Sequence, residues 1–352
     1  MRDEDGAGRR NARRPWLLPL VPVYGAVTGA RRWLAGWGLA RRRWLKGPVI
    51  SVGSCSAGGA GKTPVVLLLA RLLTKRGYAV RVLTRGYGRR SDAVERVNPM
   101  GDAGWYGDEP MLLARRSGAP VFVGQDRYEA GLLAEQEPAD DRIAVHILDD
   151  GFQHWGLGRD VDVVLLTKED TEDALLPAGN LRESLAALRH ADVIVLREEE
   201  LEWTEKFVTN LRHGARAPLL WVVRRRLWLG MDLPQRPVVF CGIARPDGFI
   251  QMLQAKGLEG AEKIFFADHY SYGEADITRL LEVARRVGAD GFVTTEKDAV
   301  KLSATMLKSL EAVGPVVVAR LEMELLDEKE AMDGMIKRVR VMERRRRGKA
   351  TR

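Results

Sequence analysis

Residues 48–76 constrain the fold more than any other part of the chain. PVISVG, residues 48–53, is a short apolar, β-branched run of the kind that forms a buried strand. A glycine-rich stretch follows, then Lys62-Thr63, then a run over 64–76 with helical character. Strand, glycine-rich loop, Lys-Thr and helix in this order make a phosphate-binding loop in the context the motif requires. Gly58, Gly59, Ala60 and Gly61 let backbone N–H groups curl around phosphates, and the helix N-terminus adds a favourable dipole. Lys62 is placed to reach the β- and γ-phosphates of ATP, and the Thr63 hydroxyl to bind magnesium. A turn that merely joined a strand to a helix would not need Lys-Thr at this spot.

The usual loop begins with glycine five residues before Gly61, where this chain has Ser56. The core GGAGKT resembles the variant loops of dimeric ATPases and metallochaperones, which often carry lysine where this chain has Ala57. A second buried strand, IAVHILDD over 143–150, ends in Asp149 and Asp150. Acids at a strand's C-terminal tip lie at the edge where an open α/β sheet binds ligands. Both are candidates for magnesium and its water shell, although an aspartate after a strand is also a common turn cap.

Strand-like runs at 79–83, 120–123, 161–166 and 193–196 alternate with helical runs such as 127–135 and 182–188. This alternation predicts a P-loop NTPase-like α/β fold, its mainly parallel sheet covered by helices. A second set of strands at 237–241, 264–266, 291–294 and 316–318, with helices near 248–255 and 274–287, predicts a smaller α/β domain. The boundary is expected within 224–236, where arginines, Gly230 and Pro234 break the pattern. The expected division is a basic amphipathic segment (1–47), a P-loop domain (48–228), a smaller α/β domain (229–330) and a basic tail (331–352).

Charge is unevenly spread. Residues 1–47 hold eleven Lys/Arg against three acids, and 337–352 hold nine against one, so the chain's net +8 leaves 48–336 at −8. An acidic body argues against a nucleic-acid-binding ATPase, whose groove would repel phosphate backbones. Basic ends suit an anionic surface, or are simply solvated tails. With two cysteines, Cys55 and Cys241, a disulfide framework is not expected and a reducing cytoplasm is. The uncharged stretch over 15–30 is interrupted by prolines and is shorter than the roughly 20 apolar residues of a membrane span. Arginines follow it rather than a signal-peptide cleavage site. Trp16, Trp33, Trp37 and Trp44 beside arginines predict a membrane-interfacial helix, rings at the interface and guanidinium groups on phosphates. The competing reading is an amphipathic helix packed on the protein.

A kinase must also position and deprotonate an acceptor hydroxyl. Gly107-Asp108-Glu109-Pro110 precedes a helical run, so Asp108 is either a helix cap or a base. Of the five histidines, His146 lies in an apolar strand, and His190 and His213 lie beside arginines on expected surfaces. His154 and His269 both sit in loops after strands, where working residues gather, and spacing does not choose between them.

Together the motifs resemble one family, the tetraacyldisaccharide 4'-kinases of lipid A synthesis. VGSCSAGGAGKTPVV, LTRGYGRR, GDEPMLLA, VGQDRYEAG, LDDGFQH, LLPAGNLRES, FCGIARPDGF, FADHYSY and TTEKDAVKL occur in the family's order up to about residue 303. The resemblance implies transfer of the ATP γ-phosphate to the 4'-hydroxyl of a tetraacylated glucosamine disaccharide 1-phosphate. It implies two α/β domains with the active site in the cleft between them. It also implies a monomer held peripherally, or by its N-terminal segment, at the cytoplasmic face of a bacterial inner membrane, with an anionic membrane surface and no nucleic acid as partner. By motif, Lys62 and Thr63 hold phosphates and magnesium, and Asp108 is the base paired with His269. Asp149 and Asp150 hold the metal, with Glu183 as a further acid, while Arg127 and Arg182 are phosphate contacts. Where the family often has a second histidine after DH, this chain has Tyr270. The rival reading is a GTP- or ATP-dependent switch or metallochaperone. Its support is Thr167-Lys168-Glu169-Asp170, a TKxD stretch of the form some GTPases use to read guanine.

Overall fold

The computed structural model describes residues 14–36, 42–59, 61–211 and 217–350; Trp37, Ala60 and His213 lie outside these. The described strands are β1 (Val49–Ser54), β2 (Ala79–Thr84), β3 (Glu95–Arg96), β4 (Val121–Val123), β5 (Ala144–Asp149), β6 (Val161–Leu165), β7 (Val193–Arg197), β8 (Leu219–Trp228), β9 (Pro237–Cys241), β10 (Glu262–Phe265), β11 (Gly291–Thr295) and β12 (Val316–Leu325). They form one sheet in the order β10-β9-β11-β12-β8-β7-β6-β1-β5-β2-β4-β3. β1 lies between β5 and β6, parallel to both. Every residue of β1 and β2 is buried, as expected of strands covered on both faces. The α/β reading therefore holds, with a mostly parallel sheet and helices packed on it.

The first part of the expected boundary window, 224–228, is strand, and the strand ends at Trp228. β8 continues to Trp228 and pairs antiparallel with β12, setting Arg226 opposite Glu322 and Arg224 opposite Glu324. The Arg226 Nε also reaches Glu324 at 2.7 Å. Opposite charges facing each other across a ladder stabilise it, so the arginines that read as a break belong to the strand. This ribbon joins the P-loop lobe to the second lobe, in which β9, β10, β11 and β12 run parallel. Of the helical run expected at 182–188, only a 3₁₀ turn over Leu185–His190 forms.

The first and last described helices pack on the body. A 3₁₀ turn (Pro15–Leu20) leads into the helix Val21–Gly36. Tyr24, Gly25, Thr28 and Arg32 recur at helical spacing and are half-buried. The Tyr24 hydroxyl donates to the Arg182 carbonyl at 3.1 Å, and Arg32 forms an ion pair with Glu183. The opposite face leaves Leu20, Val23, Val27 and Leu34 exposed, with Trp16 and Trp33 beside them. The helix thus packs on the protein by one face, as the second of the two readings expects, and presents an apolar face outward. The stretch expected as a basic tail (331–352) is helical over its described part and packs on the body in its first half, while Arg344 is exposed. Glu328–Ala350 is a helix whose Ala331, Met332, Met335 and Val339 are buried, and Arg338 reaches Asp192 at 3.2 Å. Among the described residues no helix is long and apolar enough to cross a membrane.

Candidate active site

The phosphate loop leaves the C-terminal end of β1 and is braced by a distant segment. Ala57 N–H donates to the Asn180 carbonyl at 2.9 Å, and Arg182 N–H to the Cys55 carbonyl at 2.7 Å. Ser56, at the usual glycine position, is buried in this brace and has no positive φ, so a side chain is tolerated there. Gly58, Gly59 and Gly61 do take positive φ values of 72°, 54° and 93°, which glycine adopts readily. The helix Lys62–Lys75 follows, with Thr63 buried in its first turn.

β5 delivers Asp149 and Asp150 beside this loop. Asp150 sits at φ 49°, a sparsely populated conformation for a non-glycine residue. Its carboxylate is 3.0 Å from the Lys62 Nζ and accepts two bonds from Arg182, at 2.9 and 2.7 Å. Burial pushes Asp150 up, but Lys62 and Arg182 outweigh it and hold the carboxyl well below the usual range. Asp149 is buried and accepts from the Thr84 hydroxyl at 3.0 Å. Burial and the negative charges of Glu109 and Asp150 push it up to about 7, against the pull of Lys62.

His269 of the second lobe lines the other wall and meets Asp108 of the first. Asp108 opens the helix Asp108–Arg116, with Gly107 at the cap position. One Asp108 oxygen accepts from Glu109 N–H, and both lie within 3.1 Å of the His269 Nδ1. His269 has φ 59°, a second strained non-glycine residue. Its bond to Asp108 holds the imidazole above its ordinary pKa. Burial raises Asp108, but the bond and charge of His269, with Lys297 and Lys301, leave it lowered. Next to this pair Lys297 bonds to Glu109, and Arg116 spans to Glu296. The ring of Tyr87 leans on His269 with centroids 5.5 Å apart. Between the lobes lies a cleft of 1810 Å³ that Lys62, Asp149, Asp150, Glu109, Arg127 and His269 all line.

Expectation and placement differ at several positions. Arg127 is buried on the cleft wall, its Nε has no hydrogen-bond partner, and burial and Arg85 lower its pKa to about 10. His154 also lines the cleft, but burial and the charges of Arg127 and Arg159 push it down to about 4. Glu183 does not join Asp149 and Asp150: Arg32 of the N-terminal helix captures its carboxylate, and it is not on the cleft wall. Arg182 is engaged with Asp150 rather than open to a phosphate. Tyr270 turns away to donate to Asp276 at 3.0 Å and packs on Phe266. Thr167 and Asp170, the ends of the TKxD stretch, form a capping box for Lys168–Glu172. Glu109, Lys297 and Arg245 escaped residue-by-residue reading, although each lies within a quoted motif.

A phosphate loop, two acids at the tip of the neighbouring strand and an Asp–His pair across the cleft define a P-loop phosphotransferase that uses ATP. The family profile described as tetraacyldisaccharide-1-P 4'-kinase (LpxK) matches residues 13–340. The chain belongs to that family. The tetraacyldisaccharide 4'-kinase of Koribacter versatilis is 39% identical over 338 residues, covering 94% of this chain and 99% of the relative. That of Geobacter metallireducens is 40% identical over 328 residues, covering 89% and 95%. A crystal structure of the "apo" form of LpxK from Aquifex aeolicus in complex with ATP superposes with TM-score 0.71 at 30% identity, covering 92% of this chain and 99% of that one.

Proposed function

We propose that Asp108 takes the proton of the acceptor 4'-hydroxyl as that oxygen attacks the ATP γ-phosphate, on a tetraacylated glucosamine disaccharide 1-phosphate. The observation that carries this reading is the Asp108–His269 pair, whose imidazole lines the same cleft as Lys62 and Asp150. A carboxylate within reach of the attacking oxygen assists by accepting its proton, and His269 orients it through Nδ1. Lys62 stabilises charge on the transferring phosphoryl group, where positioning and electrostatics supply most of the catalysis. Arg127, buried with an unpartnered Nε, remains a phosphate contact. The test is transfer of labelled γ-phosphate from ATP to tetraacyldisaccharide 1-phosphate in detergent, with the product's new phosphate located by NMR. Transfer to another hydroxyl, or none by folded ATP-binding protein, would overturn the reading.

Thr63, Asp149 and Asp150 fit a magnesium ion. The surplus negative charge that raises Asp149 is what a divalent cation would relieve. Bound there, magnesium would neutralise the phosphate oxygens during transfer. Asp149→Asn is expected to raise the half-saturating magnesium concentration about tenfold or more, read from titrations of the transfer rate. An unchanged requirement would take Asp149 out of the metal site.

We further propose a monomer placed peripherally at the cytoplasmic face of the inner membrane; the outward apolar face of Val21–Gly36 supports the membrane contact. Residues 48–228 and 229–330 are the two working lobes. Leu20→Asp with Val27→Asp is expected to weaken binding to anionic vesicles about tenfold or more, since both charges would enter the apolar layer. Flotation with unchanged recovery would show that this face does not meet the membrane.

A further inference from the structure

Arg245 lies in the second lobe, just before the helix Pro246–Gln254, yet it rests on the phosphate loop of the first. A Cβ on Gly59 would come within 2.8 Å of the Arg245 Cγ, Cδ and Nε, so the arginine stem covers loop backbone. Its guanidinium is held by acids of the first lobe. Nη1 is 3.2 Å from Glu169 and 3.4 Å from the Thr167 hydroxyl, and Nη2 is 3.7 Å from Asp170.

The hold is loose. The Glu169 side chain is 55% exposed, so water screens the pair. Asp170 is buried, but its Oδ1 has no hydrogen-bond partner and Arg245 stands beyond bonding distance of it. Three other cleft cations are more firmly committed. Lys62 and Arg182 share Asp150, and Lys297 is bonded to Glu109. Of these, Arg245 is the one that a stronger anion displaces at least cost.

We propose that Arg245 is a nucleotide-exchanged latch: held by Glu169 over the phosphate loop, it transfers to the ATP phosphates when nucleotide binds there. Its planar fork matches phosphate oxygens, with which it makes charge-assisted bonds. Glu169 then competes with ATP for the same guanidinium. Apparent ATP affinity is reduced by the fraction of time that Arg245 is parked.

The two partners therefore act with opposite sign. Arg245→Ala is expected to weaken ATP binding about tenfold or more, through loss of a charge-assisted contact. Arg245→Lys keeps the charge without the fork and recovers only part of that loss. Glu169→Gln frees the arm and is expected to tighten ATP binding about two- to fivefold, the scale of a screened ion pair. The experiment is titration of the full chain with ATP and magnesium, with nucleotide-free melting curves for each variant. A brace that only holds the lobes together predicts that Glu169→Gln weakens binding as Arg245→Ala does, and that result would overturn the latch. So would unchanged affinity in Arg245→Ala and Arg245→Lys. The proposal rests on the loop taking ATP, which the wild-type titration tests separately.

Discussion

Lys62→Ala is expected to lower kcat by about 10³-fold, the loss seen when a preorganised electrostatic contact to developing charge is removed. The Lys62 Nζ stands 3.0 Å from Asp150, at the start of the helix that follows the glycine loop. The fold should survive the change, because Asp150 keeps its two bonds from Arg182 and the loop keeps its backbone brace to Asn180 and Arg182. What is lost is the cation that faces the phosphates. Asp149 should also titrate higher still, since Lys62 is what opposes burial and the neighbouring acids there. More magnesium would then be needed for whatever turnover remains. The measurement is γ-phosphate transfer beside a melting curve. Turnover like that of the wild type, in a protein that melts like it, would remove the loop from the chemistry.

The parts of this site that were legible in sequence are those encoded over a few neighbouring residues. Strand, glycines and Lys62-Thr63 form one local unit, and Asp149 and Asp150 end a strand whose apolar run is visible by itself. The parts that were not legible depend on distant partners. Arg224 and Arg226 read as a break because their partners, Glu322 and Glu324, lie about a hundred residues onward. Glu183 has the residue type of a metal ligand, but the distant Arg32 claims it. In the C-terminal helix the charge run masked Ala331, Met332, Met335 and Val339, whose spacing already marks a buried face.

His154 and His269 likewise differ in their surroundings. Both are loop histidines, but burial, with Arg127 and Arg159, pushes His154 down to about 4, whereas Asp108 holds His269 above its ordinary pKa. Family order in the motifs supplied the Asp108–His269 pairing before any geometry did, because the two lie 161 residues apart.

That pairing yields the second large effect. Asp108→Ala is expected to lower kcat about 10²- to 10⁴-fold with little change in KM, because a base acts in the transition state. A change confined to KM would reduce Asp108 to a binding or capping residue. The pH dependence separates the roles of the pair. Asp108 must be ionised to accept a proton, and its lowered pKa keeps it so below the usual carboxylate range. In His269→Ala the bond and the charge that oppose burial are both gone. Burial then raises Asp108 with only Lys297 and Lys301 against it. The acid limb of kcat/KM should therefore move to higher pH, and activity at pH 5 should fall more than activity at pH 8. If His269 only fixes the carboxylate's position, the loss will be equal at both pH values and the limb will stay in place. The double variant discriminates further: acting through Asp108, His269 should add almost nothing to the loss already caused by Asp108→Ala. Independent, multiplicative losses would instead give the imidazole a contact of its own with the reacting groups.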